Sequence, residues 1–135
     1  MYNRCEAFFE KYSNAISSLD LNTLKDSYSL PFILVHDEPK GVVAFSQELE
    51  EKIKAFLLEY KKLGVVDFHA QIEKVMPVSS NMTFVAVAWS YKNETSEVLE
   101  LYKNSYMLTE VDGELKIVTL IVDDNNDLFL SFISN

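Results

Sequence analysis

Cysteine, glycine, proline and basic charge are all scarce in this sequence of 135 residues, and each shortage excludes something. The single cysteine, Cys5, rules out an internal disulfide framework and any cysteine-based zinc site. The two histidines, His36 and His69, stand far apart without paired ligand spacing, so no metal centre is expected. Three glycines and three prolines are too few for a collagenous or linker-like chain. Twelve Lys plus Arg face 21 Asp plus Glu, giving a net charge of −9. Such a surface repels phosphate backbones and anionic lipid, so neither nucleic acid nor membrane is expected as a partner. No apolar run approaches the roughly eighteen residues of a membrane span. The start Met1-Tyr2-Asn3-Arg4-Cys5-Glu6 puts charges where a signal peptide has its apolar core. These absences leave a cytoplasmic protein without a cofactor as the expectation.

What is present is the balance of a globular chain: 48% apolar and 24% charged residues, with no repeat or low-complexity tract. The length suits one domain over residues 1–135, able to bury roughly two thirds of its unfolded surface. Residues 2–18 place Cys5, Phe8, Phe9, Tyr12, Ala15, Ile16 and Leu19 on one helical face. Asp20 offers an N-cap to a short helix from Leu21 to about Ser27, which Pro31 ends. Phe32–Val35 and Val42–Phe45 read as short strands around a polar turn. Ser46 caps the clearest helix, whose apolar stripe is Leu49, Ile53, Phe56, Leu57 and Tyr60, with Gly64 after its end.

Beyond Gly64 the period changes from 3.6 to two. Phe68, Ala70 and Ile72 alternate with His69, Gln71 and Glu73. Thr83 to Lys92 is almost continuously apolar, the pattern of a strand covered on both faces. Val98 to Thr109 runs back, Asp112-Gly113 signals a hairpin, and Leu115 to Val122 completes the set. The core is expected over about residues 4–124. The tail 125–135 contains Leu128, Phe129, Leu130, Phe132 and Ile133, too apolar for water, so it should dock on the body or on a partner. Helices followed by an antiparallel meander make an α+β fold: a curved, cone-shaped sheet with three helices across its mouth, enclosing a pocket.

The stretch from Lys11 to Leu21, with an aromatic, a small-residue run and then Asp20-Leu21, resembles the first-helix signature of the nuclear transport factor 2-like, or SnoaL-like, superfamily. Trp89 in the second long strand and the element order are similar as well. So is the ending Tyr106-Met107-Leu108 … Asp112-Gly113 … Lys116-Ile117, with Leu115 where Trp is common. That superfamily holds isomerases, cyclases, dehydratases and members without chemistry, so the resemblance implies a fold and leaves the function open. Within it, Tyr12 falls on the catalytic tyrosine of ketosteroid isomerase, and Glu38, before Pro39, falls on its aspartate base. The third member is missing: Lys103-Asn104-Ser105-Tyr106 holds no carboxylic acid. Losing one oxyanion donor costs about two to three decades of rate, which disfavours steroid isomerisation.

Each candidate site residue has a functional and a plainer structural role open to it. Tyr12 either points its hydroxyl into a cavity or is a core tyrosine with one satisfied bond. Glu38 is either a proton acceptor at an apolar mouth or part of a solvated turn. His36 ends the first strand next to Asp37, but neighbours on a strand face opposite ways, so only one of the two can enter a cavity. His69 is expected to be exposed or interfacial. Trp89, Tyr91, Tyr102 and Tyr106 either wall a ligand pocket or cover the outer face of the sheet in a homodimer. Asp123 is either a rim acid or a helix cap for the tail.

Two functions therefore fit the sequence. One is a module binding a small apolar molecule in the cone, without chemistry. The other is a cofactor-free isomerase, dehydratase or cyclase in which Tyr12 polarises an oxygen and Glu38 or His36 moves a proton. A pocket of several hundred Å³ with a carboxylate or imidazole near Tyr12 favours the enzyme. A cavity under about 150 Å³, roughly the size that holds a benzene, favours the module.

Overall fold

The computed structural model describes residues 1–35 and 41–122. His36, Glu38, Asp123 and the apolar tail lie outside the described residues. The element order is α1 (Tyr2–Ser17), α2 (Leu21–Asp26), β1 (Tyr28–Val35), β2 (Gly41–Val43), α3 (Ser46–Lys62), β3 (Asp67–Pro77), β4 (Met82–Lys92), β5 (Val98–Val111) and β6 (Glu114–Val122). Among the described residues the strands form one curved, unclosed six-stranded sheet ordered β2-β1-β6-β5-β4-β3. The expected α+β architecture is observed.

The four long strands pair antiparallel in sequence order, as the meander required. β1 joins them differently, running parallel to β6 and antiparallel to β2. The Asp112-Gly113 turn takes positive φ at both positions, +52° and +82°, the two-residue conformation whose twist matches that of antiparallel strands. α1 packs on β3 and α2, and α2 on α3. Between helices and sheet lies one core, with Cys5, Phe9 and Ile16 from α1, Leu24 from α2, and Leu49, Ile53, Leu57 and Tyr60 from α3.

Several local expectations are corrected. β1 begins at Tyr28 and passes through Pro31, which was expected to end the preceding segment. Its pairing with β6 is interrupted between Tyr28 and Ile33, and a residue without an N–H fits where the ladder is already broken. Asp20 does cap α2, its carboxylate accepting from the Thr23 N–H at 3.2 Å. Ser46 does not cap α3; it is the first helical residue, after an extended Phe45. β4 is not covered on both faces. Thr83, Val85, Val87, Trp89 and Tyr91 are buried, while the residues between them are only half-buried. The near-continuous apolarity of β4 thus marks a sheet whose outer face is also greasy.

Candidate functional site

Tyr12 stands on the stripe of α1 that faces the sheet, one turn after Phe8 and Phe9 and one before Ile16. Tyr28 opens β1 on the face that also carries the Phe32 ring, 4.9 Å from it between centroids. The Tyr12 and Tyr28 hydroxyls meet at 2.5 Å. Two hydroxyls carry two protons, and their mutual bond uses one, so the pair keeps one donor to offer.

These two tyrosines line a cavity of about 60 Å³. α1 adds Ile16, α2 adds Leu24, β1 adds Phe32 and Leu34, and β6 adds Leu120. α3 closes it with Leu49, Ile53 and Phe56, and with Lys52 as the one cationic side chain on the wall among the described residues. The space accepts about four water-sized groups, at roughly 10–15 Å³ each. No carboxylate or imidazole lines it among the described residues.

Burial, reinforced by the neighbouring tyrosines Tyr28, Tyr106 and Tyr91, holds the Tyr12 hydroxyl well above its ordinary ionisation range. Burial pushes Tyr28 up to about 12, against the hydrogen bond with Tyr12, which lowers it. Both are therefore neutral donors at physiological pH. They can polarise an oxygen but cannot act as phenolate bases.

Trp89, Tyr91, Tyr102 and Tyr106 all face inward and are buried. None of the four lines the cavity; they fill the cone beside it and satisfy one another. The Trp89 indole donates to the Tyr106 hydroxyl at 2.9 Å, and the Tyr91 and Tyr102 hydroxyls are paired. The Asn104 amide N–H also reaches Tyr106, at 3.4 Å, while its carbonyl oxygen is buried without a partner among the described residues. Tyr12 meets this cluster at a tilt of 54°, its ring centroid 6.2 Å from that of Trp89. His69 is exposed on β3. Cys5 is buried, and loss of solvent raises its thiol. Among the described residues no three His, Cys, Asp or Glu gather to hold a metal ion. No helix among them is long and apolar enough to cross a membrane.

Tyr28 was missed by sequence reasoning because Pro31 drew the start of the strand forward to Phe32. The signal was there: Tyr28 and Phe32 are four apart, so an extended chain puts both on one face. Lys52 was missed because it lies beside the apolar stripe of α3 rather than on it.

A search among curated proteins finds no match. Solved structures do resemble the chain. An NTF-2 like protein of unknown function from Shewanella oneidensis superposes with a TM-score of 0.66 at 14% identity, over 91% of this chain and 98% of that one. A ketosteroid isomerase-like protein from Erwinia carotovora atroseptica gives 0.62 at 21% identity, over 88% and 92%. Aln2 from a Streptomyces species gives 0.68 at 12% identity, over 96% and 93%. At these identities the likeness is one of fold. The model of the family described as NTF2-like protein (DUF6841) matches residues 3–125, and with that span of the chain accounted for, this protein belongs to the NTF2-like family.

Proposed function

We propose that this protein binds a small, largely apolar molecule carrying one hydrogen-bond-accepting oxygen, without transforming it. The observation that carries the reading is the Tyr12–Tyr28 hydroxyl pair on the wall of an otherwise mostly apolar cavity. An apolar pocket with a few fixed polar groups selects by shape and by one or two hydrogen bonds. At about 60 Å³ the cavity favours a compact guest over a steroid-sized one. The filling of the cone by Trp89, Tyr91, Tyr102 and Tyr106 supports the same limit.

The test is titration of acetone, with four non-hydrogen atoms, into the isotope-labelled protein, read by NMR. Saturable shifts around Tyr12, Tyr28 and Ile53 are expected, weakened about tenfold by Tyr12→Phe combined with Tyr28→Phe, the usual worth of one hydrogen bond. Shifts confined to other surfaces, or none up to about 10 mM, near the weakest affinity of interest, sink the reading.

One observation favours the catalytic alternative: Tyr12 is held as a neutral donor in the cavity wall. Such a group can polarise a carbonyl while Glu38 or His36, which follow β1 in sequence, moves a proton. Tyr12→Phe and Glu38→Gln would then each cut the rate by at least about tenfold. Unchanged rates discard the mechanism.

Self-association is part of the same proposal. On the face of the sheet away from the helices, Ile33, Val42, Met76, Leu101 and Ile121 are exposed. Apolar side chains spread over one sheet face suit a second copy of the chain packed face to face.

A further inference from the structure

β3 stands at one edge of the sheet, with β4 on one side and no described strand on the other. Edge strands offer unpaired backbone groups, which proteins guard with lysine, proline, bulges or a covering element. On β3 these guards are gathered in the second half. The pairing register shifts between Ile72 and Lys74, Lys74 adds a charge, and Pro77 closes the strand. Residues 67–72 pair regularly with β4 and contain neither lysine nor proline.

α1 packs alongside this unguarded half yet leaves an open groove of about 450 Å³. All six consecutive residues from Asp67 to Ile72 border it. Side chains of a strand alternate between faces, so a run of both parities means that the groove follows the backbone edge itself. Alternate N–H and C=O groups of that edge point away from β4. The opposite wall is α1, with Phe9 as an apolar floor and Ser13, whose hydroxyl oxygen is shut from solvent without a hydrogen-bond partner among the described residues.

The charge of the groove is one-sided. Among the described residues Glu6, Glu10 and Asp67 border it, no Lys or Arg does, and none of the three acids is ion-paired. A second copy of a chain carrying −9 is repelled from such a wall. We propose that the β3 edge takes up an extended, basic segment of a partner protein as a seventh strand, held by backbone pairing to residues 67–72 and by lysines or arginines set against Glu6 and Glu10. Backbone hydrogen bonds supply affinity in this mode, and alternate side chains supply selectivity.

The probe is a fluorescent, N-acetylated and C-amidated peptide of four Lys-Val repeats, followed by anisotropy with the full chain. Saturable binding in the micromolar range is expected, and a Glu-Val peptide of equal length should not bind. Glu6→Gln with Glu10→Gln should weaken binding about three- to tenfold, the worth of two exposed charge pairs, with thermal unfolding unchanged. Methylation of every second peptide nitrogen should weaken it at least about tenfold, because it removes the pairing donors but no charge. Equal binding of the methylated peptide reduces the contact to charge attraction and overturns the proposal. So does an unaltered affinity in the double Gln variant, or no saturation by about 1 mM, where affinity falls to some 4 kcal/mol.

Discussion

Trp89 and Tyr106, on neighbouring strands of the sheet, are joined by a buried hydrogen bond of 2.9 Å from indole to hydroxyl. The Tyr106 hydroxyl also receives the Asn104 amide, so one oxygen serves two donors that have no water to turn to. Tyr106→Phe strands both and should lower stability in urea by about 2–3 kcal/mol. A double-mutant cycle with Trp89→Phe should return a coupling of about 1 kcal/mol. Purely additive losses would mean that the bond contributes nothing.

Tyr12 and Tyr28 should behave as a unit towards a guest. With acetone as probe, Tyr12→Phe and Tyr28→Phe are each expected to cost only a few-fold in affinity, because the remaining hydroxyl keeps a proton to donate, and the double variant about tenfold. A double variant no weaker than the single ones would show that the hydroxyls do not share one donor.

Alkali should unfold the protein through its interior tyrosines. Burial holds Tyr12, Tyr28, Tyr91, Tyr102 and Tyr106 above the ordinary value of 10, Tyr28 to about 12. In the unfolded chain the same phenols ionise near 10. A folded-state value raised above the unfolded one gives stability that is complete below about pH 10 and lost as the pH climbs towards 12. The melting temperature should therefore fall steeply above about pH 10, with phenolate absorbance rising together with loss of circular dichroism. Phenolate appearing well before unfolding contradicts this.

Gly113, like Gly64, is a position where a side chain meets no neighbour but the backbone objects. An added Cβ finds nothing within 4 Å, while φ is +82°. Gly113→Ala should cost about 1 kcal/mol in denaturant midpoint, from the left-handed conformation alone. A neutral result would mean that the hairpin relaxes into another turn.

The proposed self-association is testable at Leu101, 72% exposed on the outer face. Sedimentation should give twice the 15.5 kDa chain mass at micromolar concentration, and Leu101→Glu should return it to one chain. A single-chain species in the unsubstituted protein removes the interface.

Much of the fold was legible in the sequence because local geometry sets its periods. The 3.6-residue spacing of Cys5, Phe9 and Ile16, the two-residue alternation of Phe68, Ala70 and Ile72, and the Asp112-Gly113 turn each follow from covalent geometry and nearby sterics. Asp20 as a cap and the inward stripe of α3 were equally readable, since a helix end must satisfy its own N–H groups. Pro31 misled because its effect depends on the neighbouring strand: it is tolerated in β1 where the pairing with β6 is interrupted.

The sequence by itself determined which residues share a face, and so that Trp89 goes with Tyr91 and Tyr102 with Tyr106. It did not determine which face is inward, because a period of two is the same read from either side of a sheet. Only the tertiary structure turned those four inward, brought Tyr28 to Tyr12 across sixteen residues, and left a small hollow beside a filled cone. The size of that hollow is the difference between the space enclosed by five elements and the volume of the side chains they send into it. No local stretch of sequence contains that difference, because each element contributes only part of the wall.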